Sequence, residues 1–444
     1  MTRRRPASSR VRALAGALVD PRVGVLHALD LLRNEAGAPA FFHGSAELCN
    51  LSACGFPVSR ARTDGASADR ERAAWKAIAE ALRAYCAAIH DPRELPLTSR
   101  DAAPFPCAPP ASFALFTAAQ HEALGFPYAP FTGATQVRWA PALDAASGEP
   151  CYVPAALCML PYPAPPASSE EAAIAPATTT GLACAEGADA AAVAAICDAI
   201  RADALAITWQ ARLAMPHLRV ETLPDREYDL VARFERSVGA VTLLDLTTDL
   251  GVPVVLAALR CRAPEAPALV FAGGADPDPA EAVRSALEEL ALTLRYAREI
   301  KAHVPPLDPS AGDDAVVDSV SHLRFWCEPA NAPRADPLFA SKQRIDLDAR
   351  ASGAGPGARD LADALLRTGH QVLLSDLTTS DVRDLGLSVV RAIVPGLHPI
   401  FAGHRLRALG GSRLRQLPRE LRRPPAAEDG GARAAPHPYL CNEA

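Results

Sequence analysis

The sequence lacks the patterns that would make several function classes easy to assign. No CxxC pair occurs among its eleven cysteines, and their number is odd. That favours reduced thiols in a cytoplasmic protein over a disulfide framework or a zinc site. The eleven histidines are scattered, with no HExxH and no His/Cys spacing suited to zinc. No apolar run approaches the length of a membrane span. The start, MTRRR followed by ALAGALV, imitates a signal peptide, but its apolar core is short and flanked by Arg12 and Asp20. Nor is there an excess of positive charge: a net charge of −6 gives no reason to expect nucleic acid as a partner. GAGPG (353–357) has no strand close before it and is interrupted by Pro356, so it does not read as a dinucleotide loop.

What is present is material for a large core. The 444 residues are 49% hydrophobic and 22% charged, enough for one large or two to three ordinary domains. Residues 1–20 read as a basic, flexible start, 21–417 as the folded body, and 418–444 as a charged, Pro-containing tail. Short apolar runs over 21–62 predict strands. From Ser67, a plausible N-cap, a helix begins in which Trp75, Ile78, Leu82, Tyr85 and Ile89 recur at helical spacing. Residues 91–177 are Pro-rich and irregular, with two short strands joined near Ser147 and Gly148. Strands are expected over 218–262, a helix over 279–300, a further helix over 359–369, and two closing strands, QVLLSDL and LSVVRAIVP. Irregular alternation of strands and helices predicts an α+β fold with mixed sheets rather than a doubly wound parallel sheet.

The chain is organised around 178–209. Thr178, Thr179, Thr180 and Gly181 form a hydroxyl-rich turn, and Ala190 to Ile207 has no Gly or Pro, which predicts a long helix with Asp189 as N-cap. Such a turn feeding a helix can present backbone donors to phosphate. The helix near 68–90 and this one look like an internal duplication. Each carries an acid, then an arginine three residues later, then alanine: Glu80, Arg83 and Ala84 in the first, Asp198, Arg201 and Ala202 in the second.

Those helices, together with TTTGLACAEG, LLDLTTDLGVPVV, GGADPDPAEAVRSALEEL and VVRAIVPGL in that order, resemble the YcaO family. The resemblance runs from about Val19 to Leu414. It implies ATP-dependent activation of backbone amides during maturation of ribosomally made peptides. FALF and GHRLRALGG look most like the azoline-forming cyclodehydratase branch. That branch works with a leader-peptide-binding protein, which another chain is expected to supply here, and with a precursor peptide.

The resemblance also implies an ExxER pattern on each of the two helices, whose carboxylates hold magnesium against ATP. Here Arg83 and Arg201 stand where the second Glu of each pattern is expected, and alanine replaces each final Arg. Asp64, before Gly65, replaces a phosphate-binding lysine. Arg284 and Glu288 match a basic and an acidic family position. The remnant nucleotide pocket is therefore Ser67, Glu80, Arg83, Thr180, Gly181, Asp198, Arg201, Arg284 and Glu288, with no metal ligand set. In the tail, Pro436, His437 and Pro438 resemble the Pro-rich end of azoline-forming members, and His437 is a weak candidate catalytic base.

Two readings follow. In one, the chain is a degenerate, ATP-impaired scaffold with no cofactor, pairing with an active YcaO homologue or with itself. In the other, it is a working cyclodehydratase that needs ATP and magnesium. The two arginines are expected either to neutralise Glu80, Asp198 and Glu288 inside the old pocket, or to form two exposed local pairs worth little.

Overall fold

The first helix begins inside the stretch expected to be flexible: in the computed structural model, which describes residues 8–56, 61–166, 168–347 and 355–421, Ser8–Leu18 is α1. Val11, Leu14 and Leu18 recur at helical spacing and are buried against the next elements, so that part of the loose start is corrected. The strands β1 (Leu26–Leu32), β2 (Phe42–Leu48) and β3 (Arg62–Ser67) form an antiparallel sheet in the order of the chain. Helix α2 (Arg70–Ala88) lies across it. Glycine makes that approach possible: a Cβ at Gly44 would sit 2.6 Å from the Ala73 carbonyl oxygen, and one at Gly65 would sit 2.4 Å from Lys76 Cβ.

The Pro-rich region yields only short pieces, as its composition requires. Val137–Ala140 pairs with Leu97–Thr98 and Val153–Pro154, and Ala155–Cys158 is a single helical turn rather than strand. Then β4 (Leu182–Glu186) leads through Gly187 into α3 (Ala188–Gln210). Because α3 is apolar nearly all round, it is buried nearly all round. It packs between β4 and its neighbours on one side and a second sheet on the other. Gly187, not Asp189, occupies its N-cap position; the Asp189 carboxylate accepts from the Ala358 N–H at 2.9 Å instead.

Residues 218–262 were expected to be strands throughout, but Asp225–Ser237 is helix α4. Its buried apolar face is only Leu230, Val231 and Phe234 among charged residues, too narrow a stripe to stand out. The strands β5 (Gly239–Asp245), β6 (Val254–Cys261) and β7 (Leu269–Ala275) form an antiparallel meander. Helix α5 (Pro279–His303) starts from an Asp278 cap and covers β6 and β7. After short turns come α6 (Ala358–Arg367), β8 (Leu373–Asp376), β9 (Leu387–Ile393) and α7 (Arg413–Glu420), the last crossing the boundary expected at 417. β9 pairs with β8 and with β4, both antiparallel. The result is α+β with mixed sheets, and β3–α2 repeats as β4–α3: a strand, a brief turn, then a long helix. Among the described residues, no helix is long and apolar enough to cross a membrane.

Candidate functional site

The two repeated helices face one cleft of about 230 Å³, closed by β4, by the end of β7 and by the first turns of α5. Glu80 and Arg83 reach it from α2, and Asp198 and Arg201 from α3. Arg72, Asp276 and Glu281 complete its charged lining. Four of the predicted residues are thus brought together.

Each acid is matched locally. Arg83 contacts Glu80 and also donates to the Leu182 carbonyl oxygen at 3.1 Å. Arg201 grips Asp198 Oδ1 through Nε at 3.1 Å and Nη2 at 2.7 Å. These are the local i,i+3 pairs of the second expectation, but they are not exposed: the two guanidinium side chains are only 9% and 5% accessible. Gly181, at φ 76°, turns its N–H onto Asp198 Oδ2 at 2.7 Å. A Cβ there would lie 2.2 Å from the Ala392 carbonyl oxygen, so glycine is required.

Burial raises the pKa of Asp198, but Arg201, Arg83 and the Gly181 N–H outweigh it and hold the carboxyl below its usual value. Glu80 goes the other way. Burial pushes it up, Arg83 opposes, and the neighbouring Glu289 and Asp198 charges add to the rise.

Glu288 and Arg284 stand behind the cleft rather than in its wall. Fully buried Glu288 accepts from Ser67 Oγ at 2.6 Å and Arg72 Nε at 2.9 Å, and Lys76 Nζ lies 3.0 Å away. Burial raises its pKa, but Lys76, Arg72 and Ser67 together bring it below the ordinary glutamate value. Its cations come from α2 and not from Arg83 or Arg201. Arg284 donates to Glu227 on α4 at 2.8 Å and contacts Glu281, which Arg72 also contacts. Ser67, engaged by Glu288, does not cap α2; Asp69 does, accepting from the Glu71 and Arg72 N–H groups. Thr180 faces away from the charged cleft into a separate, largely apolar cavity of about 70 Å³, lined also by Phe113, Leu115 and Phe401. Asp64 does not wall the cleft either: Tyr296 on α5 donates to its Oδ2 at 2.6 Å. His437 lies outside the described residues.

Sequence reasoning missed Arg72, Lys76, Glu281 and Glu227. A signal for the first two was present. Arg72, Lys76, Glu80 and Arg83 follow one another at spacings of four, four and three, which places all of them along one face of α2.

Fold and cleft together define the class, a mixed-sheet α+β protein with duplicated strand–helix units around one charged cleft. The chain belongs to the YcaO family: the model of the YcaO cyclodehydratases, described as ATP- and Mg2+-binding, matches residues 64–398, well over half of its length. No curated protein sequence matches it significantly. Among solved structures, it resembles a heterocyclase in complex with substrate and cofactor, at 18% identity and TM-score 0.71, covering 93% of this chain and 54% of that one. This chain therefore spans about half of that relative's length. It also resembles YcaO from Methanopyrus kandleri bound with AMPPCP and Mg2+, at 19% identity and TM-score 0.65, covering 92% and 94%. A third likeness is to the E. coli microcin synthetase McbBCD complex with pro-MccB17 bound, at 13% identity and TM-score 0.54, covering 86% and 91%. At such identities these likenesses speak for the fold alone.

Proposed function

We propose that this chain is a component of a machinery that modifies ribosomally made peptides, serving as a scaffold or partner subunit that does not use magnesium–ATP. One observation carries the reading. Glu80, Asp198, Glu281 and Glu288 each already touch a basic side chain of the same chain. A magnesium ion takes oxygen ligands in near-octahedral geometry, and here it would have to displace guanidinium or ammonium groups from them. A triphosphate without metal would meet Glu80, Asp198, Asp276 and Glu281 against Arg72, Arg83 and Arg201, a balance that offers it no net attraction. Gly274 lines the cleft but serves packing: a Cβ there would lie 2.3 Å from the Ala282 carbonyl oxygen. The residues present do not fit magnesium–ATP.

The partners of this reading are a precursor peptide, a separate leader-peptide-binding protein, and an active YcaO homologue or a second copy of the chain. The peptide-bound synthetase complex among the structural relatives supports an assembly of this kind. A cytoplasmic setting accords with the odd number of cysteines and the lack of a CxxC pair in the sequence.

The test is chemical. Incubated with the precursor, the leader-binding partner and ATP, the chain should cause no loss of water from the peptide by mass spectrometry, and an active homologue should be needed. Dehydration with this chain as the only YcaO protein present would reverse the reading in favour of a working cyclodehydratase.

A further inference from the structure

Lys76 occupies an unusual position for a lysine. Its ammonium lies 3.0 Å from Glu288 Oε2 and 3.7 Å from Glu289 Oε1, two adjacent acids on α5. Glu288 has no solvent exposure, and Glu289 Oε2 is buried with no hydrogen-bond partner among the described residues. The Glu80 carboxyl on α2 also feels both the Lys76 and the Glu289 charge. One ammonium thus lies between two neighbouring acids of α5 at the back of the cleft. Around it there is little water to screen their repulsion, and uncompensated buried carboxylates are costly.

We propose that Lys76 is a resident counter-cation, filling with an ammonium the position where Glu288 and Glu289 would otherwise recruit a divalent metal ion. The inference rests on the reading that the chain works without metal, and goes further by naming the group that makes it so. An ammonium on a four-carbon stem is a compact charge with three donors, so it can sit between converging carboxylates much as a bare ion does. Unlike an ion, it cannot dissociate. Lysine carries only one charge, and Arg72 supplies a second to Glu288. With Lys76 removed, the carboxylate oxygens become hard ligands for magnesium or calcium, with calcium favoured because it tolerates irregular geometry.

The experiment uses the full chain without nucleotide. Thermal unfolding is followed for the wild type, Lys76→Met and Lys76→Arg, in chelator and in millimolar calcium or magnesium chloride, with sodium chloride matched for ionic strength. Lys76→Met should unfold at a lower temperature in chelator. It should regain temperature with calcium, on the order of 1–2 °C per tenfold excess over the dissociation constant. The wild type and Lys76→Arg should not respond. A calcium response in the wild type equal to that of Lys76→Met would overturn the proposal, as would the absence of any response in Lys76→Met. If Lys76→Met cannot be purified without metal, Lys76→Met/Glu289→Gln carries the test. Removing one carboxylate with the ammonium should return folded, calcium-indifferent protein, and failure to do so contradicts the proposal. Because no nucleotide is present, a negative result leaves the ATP reading standing, whereas ATP-dependent dehydration of the peptide would sink that reading separately.

Discussion

Arg201 sits one helical turn beyond Asp198 with its guanidinium nearly sealed from solvent, and the pair they form is where the site's stability is concentrated. A carboxylate at 201 beside Asp198 would need an outside cation; the guanidinium is its own. Arg201→Ala should therefore cost about 2–4 kcal/mol, a little below the range for a fully buried pair because Asp198 keeps the Gly181 N–H. An unchanged melting temperature for Arg201→Ala would show that the pair does not carry the site. Helical spacing made each acid legible as the neighbour of its own arginine, whereas the meeting of Glu80 and Arg83 with Asp198 and Arg201 in one cluster was implied by the family resemblance. What Ser67 and Asp189 do was not. Both are good N-cap residues, but tertiary partners, Glu288 for one and the Ala358 N–H for the other, took their polar atoms away. Lys76 was hidden for a related reason: nothing local says that the acids it meets come from α5.

Helix α7 is held to the body by Leu414 and Leu417, which pack on the main core, and by Arg413. Arg413 donates to Asp203 Oδ2 on α3 at 2.9 Å through Nη2, and to Asp249, after β5, at 2.9 Å through both Nη atoms. His398 N–H also donates to Asp203, at 2.9 Å. Burial raises the Asp203 pKa, but His398 and Arg413 together hold the carboxyl below its usual value of 3.8. A carboxyl lowered by folding contributes stability that is present above its unfolded pKa and lost as pH falls through the folded one. Arg413→Ala should then cost about 3–5 kcal/mol at neutral pH. Its stability should also fall less steeply than that of the wild type as urea denaturation is repeated from neutral pH to below about 4. Equal acid slopes would show that Asp203 does not draw its shift from Arg413. At this scale the sequence was most readable where elements are long or strongly patterned, as in α2, α3, α5 and the β8–β9 pair. It was least readable in α4, whose few buried apolar residues signal little without the meander they pack on.

For the molecule as a whole, the family's fold surrounds a central cleft whose acids pair with cations of the same chain. The β3–α2 and β4–α3 units still converge, Gly181 still turns tightly, and α5 still backs the site, so the architecture of the family is kept. Within it, Glu80, Asp198, Glu281 and Glu288 are each met by a cation of the same chain. That a fold and its order of motifs could be read from sequence, while the state of the cleft could not, has a simple physical origin. Patterning along the chain sets which elements form, whereas the pairing of Glu288 with Arg72 and Lys76 joins residues more than two hundred positions apart. The measurement that bears most directly on the central claim is a calorimetric titration of magnesium–ATP into the purified chain at millimolar nucleotide. The account predicts no saturable heat and no magnesium-dependent rise in melting temperature. Saturable binding that vanishes when magnesium is removed would contradict it.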